Sequence, residues 1–264
     1  MKSPLRWPGG KGRLAPVILQ YVPPHEAYVE TCCGGAAVFW AKPREWSKAE
    51  ILNDADGELI NFYYVLHKQG RKLAREVDSL PYSRALFSKV LRSKPTSTFR
   101  RAVRFWYLDR VAFGAKQTGQ SFGVQIRRYC TLPHRILRDL DATIERIRGV
   151  VFESLHVLRL LTLYDRRRTL FYVDPPYYGL SQPYACLFGQ RAHEALAAAV
   201  AAVEGSVLLT YNDCPEVRRL YRPLRPRRLA CRYMIGSNSR RGGGPGDGAQ
   251  LLISNRPLRR VKHK

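Results

Sequence analysis

Short apolar runs that end at polar or glycine residues recur along the chain and predict the strands of a sheet. These runs lie at residues 27–31, 50–53, 169–173, 206–211 and 249–254. Helical spacing of apolar positions separates several of them, most clearly at 59–66 and 193–203. Strands that alternate with helices favour a doubly wound, mostly parallel α/β sheet, in which ligands bind at the carboxyl ends of the strands. Four polar residues are expected at those ends: Glu30, Asp54, Asp174 and Asn212.

The middle of the chain has a different pattern. Phe99, Val103, Trp106 and Tyr107 recur at helical spacing, together with Arg110, so this segment predicts a helix with one apolar and one basic face. A polar, glycine-containing segment at 114–123 then predicts a loop. We expect residues 68–148 to form a smaller, mostly helical module inserted between the two parts of the sheet domain, 1–67 and 149–264.

The charge balance points to a polyanionic partner. The 264 residues include 45 Lys and Arg against 21 Asp and Glu, a formal net charge of +24. Neutralisation of phosphates by such a surface provides much of the affinity for nucleic acid. The longest apolar run is far shorter than the roughly 18 residues of a membrane span, and residues 1–10 lack the apolar stretch of a secretory signal. We therefore expect neither membrane insertion nor secretion.

Cysteine and histidine spacing argues against a metal site. The six cysteines include no CxxC pair, and none of the six histidines stands at the spacing of metal ligands. We expect reduced thiols, as in a cytoplasmic protein, and no bound metal.

The sharpest local feature is Asp174-Pro175-Pro176-Tyr177, directly after a strand-like run. Two successive prolines fix φ and remove two N–H donors, so this loop is stiff and its carbonyl groups point in set directions. The Asp174 carboxylate and the Pro175 carbonyl could accept two hydrogen bonds from an exocyclic amine while the Tyr177 ring stacks on the base. This combination suits chemistry on the amine of a nucleobase.

Six motifs in one order resemble the Dam-type family of DNA adenine-N6 methyltransferases, which use S-adenosylmethionine. The resemblance implies a Rossmann-like class I methyltransferase fold, duplex DNA as the substrate and methyl transfer to the N6 amine of a flipped adenine. The motifs are LRWPGGK at 5–11, YVETCCGGAAV at 28–38, LNDAD at 52–56, DPPY at 174–177, LLTYND at 208–213 and QLLISN at 250–255.

The resemblance also assigns roles to residues. Gly34 and Gly35 let the backbone approach the cofactor, and Asp54 follows Glu30 at the interval that places an acid on a ribose hydroxyl. The catalytic residues implied are Asp174, Pro175, Pro176 and Tyr177. The cofactor-binding residues implied are Trp7, Lys11, Glu30, Gly34, Asp54 and Asp174.

Two departures from the family pattern concern the cofactor site. Thr31 and Cys32 stand where the family usually has Pro-Phe, which removes an aromatic wall. His156 stands where an acid is expected, and we expect it to pack or to form a hydrogen bond rather than to contact the cofactor.

The DNA contacts are expected in the middle module. An arginine-rich helix has no polar variety with which to discriminate bases, so Arg100, Arg101 and Arg104 are assigned to phosphates. Lys116, Gln117 and Gln120 lie in the polar loop and can pair with base edges in the major groove. We further expect a monomer in the cytoplasm of a bacterium or a phage-infected cell, with a cognate restriction endonuclease as a possible partner.

Two alternative functions remain open from the sequence. One is methyl transfer to another planar amine, such as cytosine N4, an RNA base or a protein glutamine; the last two usually begin the motif with Asn rather than Asp174. The other is a DNA-binding relative that has lost catalysis, against which the intact Lys11, Gly34, Asp54 and Asp174 argue.

Overall fold

A computed structural model describes residues 1–115, 117–124, 132–179, 188–229 and 249–261. These residues form a seven-stranded sheet in the order β3-β2-β1-β4-β5-β7-β6. β1 to β5 run parallel, and β7 runs antiparallel to both β5 and β6. The strands are β1 Ala27–Glu30, β2 Ala49–Asn53, β3 Val151–Glu153, β4 Thr169–Val173, β5 Ser206–Asn212, β6 Arg227–Leu229 and β7 Gln250–Ser254.

The predicted doubly wound, mostly parallel sheet is therefore confirmed. Helices pack on both faces of the sheet. Side chains alternate between the two faces along each strand, so a strand of continuous apolar residues needs a covering layer on each face. No helix in the described ranges is long and apolar enough to cross a lipid bilayer. The helices are α1 Ala15–Leu19, α2 Ala37–Ala41, α3 Gly57–Asp78, α4 Arg84–Arg92, α5 Thr98–Val111, α6 His134–Arg138, α7 Leu140–Arg146, α8 Val157–Tyr164, α9 Gln190–Ala202 and α10 Pro215–Leu220.

Two apolar clusters lie on opposite faces of the sheet. Tyr172 and Leu208 point into the cluster that also contains α3 and α5, whereas Phe171 and Leu209 point into the cluster with α8, α9 and α10. These residues are adjacent in sequence, so the two faces follow from the two-residue period of the strands. Both faces of the central strands are covered, which explains their nearly continuous apolar sequences.

The middle segment shares the first of these clusters with the sheet domain. Trp106 and Phe105 of α5 lie with their ring centroids 5.4 and 5.7 Å from that of Phe62 in α3. The predicted boundary at residue 67 falls inside α3, two residues before Gln69, whose φ of −140° marks a kink. One helix therefore passes from the sheet domain into the middle segment, and a common core joins the two.

Candidate active site

The carboxyl ends of four parallel strands meet in one pocket. β1 lies between β2 and β4, and the register places Glu30 beside Leu52 and Tyr172. The glycine-containing segment between β1 and α2 forms one wall, and the loop after β4 forms another. The pocket brings together all the residues predicted to bind the cofactor or to act in catalysis: Trp7, Lys11, Glu30, Gly34, Asp54, Asp174, Pro175, Pro176 and Tyr177.

Trp7 lies directly against the glycine segment. Gly34 has φ +47°, and a Cβ atom there would lie 2.3 Å from Nε1 of Trp7. A Cβ atom on Gly35 would lie 2.8 Å from Cβ of Trp7. Both the backbone conformation and the space therefore require glycine at position 34, because an L side chain there is strained and also collides with the indole.

Asp54 holds the glycine segment through its carboxylate. Oδ2 accepts a hydrogen bond from the N–H of Gly34 at 3.0 Å, and Oδ1 accepts one from the N–H of Asp56 at 3.0 Å. Desolvation raises the pKa of Asp54 to about 6, although these backbone N–H groups oppose the shift. Asp56 begins α3 as its N-cap, with its side chain accepting from Glu58 N at 2.9 Å. The 52–56 motif thus connects the pocket to a helix start.

Glu30 is a buried acid in the pocket wall. It is 2% exposed, and its Oε2 accepts hydrogen bonds from the hydroxyl of Tyr28 at 2.8 Å and the N–H of Phe39 at 3.1 Å. Burial raises its pKa to about 8, more than these hydrogen bonds lower it. Glu30 can therefore carry a proton at neutral pH and ionise when a cation comes close.

Both carboxylate oxygens of Asp174 have partners. Nζ of Lys11 lies 2.6 Å from Oδ2 and also donates to the carbonyl of Gly9 at 3.1 Å. The hydroxyl of Thr210 donates to Oδ1 at 2.9 Å. Lys11 Nζ lies 5.0 Å from the ring centroid of Tyr177, so the ammonium group connects the acid to the aromatic ring. The N-terminal segment and β5 thereby both contact the acid that follows β4.

Sequence reasoning did not identify Thr210. It lies in the 208–213 motif, and the parallel pairing of β4 with β5 places it next to Asp174. The available signal was that two motifs end neighbouring parallel strands, but a threonine in an apolar strand has no distinctive pattern of its own.

The residues that depart from the family pattern also line the pocket. Thr31, Cys32 and His156 lie along its wall. His156 is the N-cap of α8, and its Nδ1 accepts from the N–H of Leu158 at 3.4 Å. His156 thus forms a hydrogen bond at the start of a helix and also lines the pocket.

A second, more open groove adjoins this pocket and shares Trp7 and Tyr177 with it. Within the described ranges, the buried side-chain oxygens of Asn212 and Gln250 have no hydrogen-bond partner there. These two residues are paired in the β5–β7 register. Unsatisfied buried acceptors are uncommon in proteins, and they suit a ligand that carries hydrogen-bond donors. Three cationic residues also line the groove: Lys2, Arg13 and Arg135.

The residues predicted to bind DNA fall in three different settings. Arg101 pairs with Glu58 at 2.6 Å, Arg100 pairs with Glu76, and Arg104 donates to the carbonyls of Val90 and Leu91 at 3.1 and 3.0 Å. Gln117 lines the pocket, whereas Gln120 does not. Lys116 lies outside the described residues. The three arginines expected at phosphates are thus engaged within the chain.

Among the residues that the structure describes, no group of three or more His, Cys, Asp or Glu side chains is arranged to hold a metal ion.

The mostly parallel seven-stranded sheet, with a pocket at the carboxyl ends of its strands, is the fold expected of a class I methyltransferase, a class of protein that requires a methyl donor. The family model for D12 class N6 adenine-specific DNA methyltransferase matches residues 7–227. The chain belongs to this family, as the sequence motifs predicted. This is a family of adenine-specific DNA methyltransferases.

Two relatives have the same kind of activity in their names. The DNA adenine methylase of Serratia marcescens is 27% identical over 186 residues, which cover 67% of each chain. The DNA N-6-adenine-methyltransferase of Escherichia phage P1 is 27% identical over 155 residues. That match covers 53% of this chain but only 19% of the phage protein.

A solved structure shows a more distant similarity. The rRNA methyltransferase aviRa from Streptomyces viridochromogenes is 14% identical, with a TM-score of 0.42 over 94% of this chain and 86% of that one. This similarity is too low to bear on the substrate.

Proposed function

We propose that this protein transfers a methyl group from S-adenosylmethionine to the N6 amine of an adenine flipped out of duplex DNA. The observation that carries the proposal is the position of the 174–177 loop. It follows β4 and faces the same pocket as the glycine segment and Asp54. The proposed acceptor of the amine and the proposed cofactor-binding residues therefore line one cavity.

The pocket fits the proposed cofactor in its donor set. Gly34 and Gly35 bring backbone close to the cavity, Trp7 supplies an apolar wall, and Asp54 offers a carboxylate of the kind that binds ribose hydroxyls. Glu30 offers a second, buried carboxylate to an amino group. When bound, S-adenosylmethionine supplies an electrophilic methyl group on a sulfonium.

The protein's own contribution to the reaction is positioning. A base inside a duplex cannot reach a side chain in a pocket, so the adenine must leave the stack. The Tyr177 ring stacks on it, while the Asp174 carboxylate and the Pro175 carbonyl accept hydrogen bonds from the amine. These hydrogen bonds use the two N–H groups of the amine and leave its nitrogen lone pair available to the methyl group of the cofactor. Orientation of this kind accounts for much of the rate in a direct displacement.

The groove with Asn212 and Gln250 is the proposed approach for the target nucleotide. It shares Tyr177 with the cofactor pocket, and its unpaired amide oxygens can accept from the base. Arg13 and Arg135 line the same groove and are the proposed contacts to the neighbouring phosphates. For Arg101 to contact a phosphate, its ion pair with Glu58 would have to break and be replaced by an ion pair with the DNA.

We propose that the two parts of the chain have the separate functions predicted from the sequence. Residues 1–67 and 149–264 form the catalytic part, and 68–148 recognise the target. Gln117 lines the pocket, which supports a role for it in reading DNA. We propose that Lys116 and Gln120, which are close to it in sequence, share this role. We also propose a monomer acting in a bacterial or phage-infected cytoplasm, in keeping with the sources of the two relatives, with a restriction endonuclease as an optional partner.

Methylation in a methylation-free host tests the proposed function. Genomic DNA from cells expressing the wild-type chain is expected to contain N6-methyladenine within one short sequence, as read by modification-sensitive sequencing. Cells expressing Asp174→Ala serve as the control and are expected to contain none. Modification of cytosine or of RNA alone, or of no base at all, would reject the proposal.

A further inference from the structure

Thr210 lies beside Asp174 because of the register between two parallel strands. β4 pairs with β5 such that Val173 is opposite Leu209. The next residues along the two strands are Asp174 and Thr210, and they lie on the same face of the sheet. Thr210 is fully buried in β5. A hydroxyl in this position has been removed from water and must be satisfied by protein groups.

The hydrogen bonds of Thr210 have a fixed direction. Its Oγ1 lies 2.9 Å from Oδ1 of Asp174 and 2.9 Å from the hydroxyl of Tyr172. A carboxylate can only accept, so the single hydroxyl proton of Thr210 is donated to Asp174. Tyr172 must then donate to Thr210. Burial raises the pKa of Tyr172 well above its ordinary value, which keeps that proton in place.

Two separate parts of the chain therefore hold the two oxygens of Asp174. Lys11, from the N-terminal segment, lies 2.6 Å from Oδ2. Thr210, from β5, holds Oδ1. The terminal torsion of an aspartate is broad, so a single contact leaves the plane of the carboxylate free to rotate. A contact to each oxygen fixes that plane.

We propose that Thr210 is a positioning residue, which sets the orientation of the Asp174 carboxylate toward the amine of the target adenine, and that Tyr172 supports it. This inference rests on the proposed function. Thr210 lines neither the pocket nor the adjoining groove, so it is not in a position to contact the base or the cofactor. Its effect is therefore on the rate of methyl transfer and not on the binding of either ligand.

Substitution of Thr210 by Val and by Ser separates the hydroxyl from the shape of the side chain. Val keeps the volume and removes the hydroxyl, whereas Ser keeps the hydroxyl. We expect Thr210→Val to slow single-turnover methylation of a duplex by about 10–100-fold, because small misplacement of a reacting group has effects of this size. Thr210→Ser should retain at least half of the wild-type rate. Affinities for S-adenosylhomocysteine and for the duplex should change by less than about threefold in both variants, as expected for a group that contacts neither ligand.

A matched control uses another buried threonine of the same sheet. Thr169 begins β4 at the opposite end of the sheet, and its hydroxyl donates to the carbonyl of Tyr164 at 2.9 Å. Thr169→Val should keep the wild-type rate. If Thr210→Val does not fold, Tyr172→Phe carries the test, with an expected decrease in rate of about threefold to tenfold.

A double-mutant cycle with Asp174→Asn identifies the path of the effect. If Thr210 acts through Asp174, Thr210→Val should not slow the residual activity of Asp174→Asn further. The inference is overturned if Thr210→Val has the wild-type rate, if Ser is as slow as Val, or if both backgrounds are slowed by the same factor. A folded Tyr172→Phe with the wild-type rate, where Thr210→Val does not fold, overturns it too. A wild-type enzyme that transfers no methyl group to adenine instead rejects the proposed function.

Discussion

The ion pair between Lys11 and Asp174 is mostly removed from water, and this burial determines what a substitution there will do. The side chains are 4% and 19% exposed, respectively. Removal of one member of such a pair leaves the other charge without compensation, which is strongly destabilising. Alanine at position 174 therefore changes the surroundings of Lys11 as well as the chemistry. Asparagine keeps the shape and an acceptor oxygen for Lys11, and is the cleaner probe.

We expect Asp174→Asn to lower the single-turnover rate of methylation by about 10²–10³-fold, because an oriented charged acceptor in a site of this kind contributes that much. Binding of S-adenosylhomocysteine and of duplex DNA should stay within about tenfold of wild type, since most of the pocket is unchanged. Rapid-quench kinetics on a methylatable duplex measure the rate. A variant with more than about a tenth of the wild-type rate would remove Asp174 from the proposed role.

Glu30 makes the stability of the protein depend on pH in a defined direction. The pKa of Glu30 is about 8 in the folded chain, whereas the ordinary value for a glutamate is 4.5. The folded state therefore holds the proton more tightly than the unfolded state. The resulting stabilisation is complete below pH 4.5 and is lost as the pH rises toward and through 8.

The comparison of wild type with Glu30→Gln isolates this contribution. Between about pH 5 and pH 8, the free energy of unfolding of wild type should fall relative to that of the variant, by a few kcal/mol at about 1.4 kcal/mol per pH unit. Urea unfolding at several pH values measures the difference. Parallel curves for the two proteins would show that Glu30 is already ionised in the folded state at the acidic end of this range.

At the scale of elements, the segment between β1 and α2 determines how close a ligand can come to the sheet. Gly34 needs its positive φ and also the space that Trp7 fills. Gly149 has φ +75°, but a Cβ atom there would meet no other atom within 4 Å, and this glycine does not line the pocket. A side chain at either position would therefore strain the backbone, but only a side chain at position 34 would also collide with Trp7.

We expect Gly34→Ala to weaken binding of S-adenosylhomocysteine by more than about tenfold, because the collision displaces Trp7 from the pocket wall. Gly149→Ala should leave that affinity unchanged. Both variants should lose about 1–2 kcal/mol of stability from the left-handed backbone. Calorimetric titration together with thermal unfolding checks both statements. If the two variants bind S-adenosylhomocysteine with equal affinity, Trp7 does not form a wall of the cofactor site.

The strands that could be predicted are those with a complete apolar pattern. β4 is buried on both faces, and its five apolar or β-branched residues are continuous in the sequence. β3 and β6 are three residues long and lie at the edges of the sheet, and β6 begins with two exposed arginines. An edge strand has few core contacts and so leaves little trace in the hydrophobic pattern.

The candidate site was predictable for a related reason. Asp174 and Gly34 lie in loops directly after central strands, where the pattern is clear. Thr210 lies within a strand, and its role depends on which strand is its neighbour. The order of strands is a property of the whole sheet, and no local sequence pattern encodes it.

At the scale of the whole molecule, the net charge of +24 predicts a polyanionic partner but does not locate its surface. Several cations serve the fold instead. Lys42 and Arg146 both pair with the fully buried Glu50, at 2.7 and 2.6 Å. Arg101 pairs with Glu58 through two of its nitrogens. Side chains of this kind add to the total charge while their geometry is determined within the chain.

The dependence of DNA affinity on salt distinguishes cations that contact phosphate from cations that support the fold. Arg13 is exposed at the groove that includes Tyr177, whereas Arg101 is held by Glu58. Each phosphate that a protein neutralises contributes about 0.9 to the slope of log affinity against log salt.

We expect Arg13→Ala to reduce the slope by this amount on specific and scrambled duplexes alike. Arg101→Ala should leave it unchanged, because that guanidinium stays with its carboxylate. Salt titrations by fluorescence anisotropy measure both slopes. The opposite result would place the DNA backbone along α5, as the arginine spacing of that helix first indicated, and would remove the groove from the proposed DNA path.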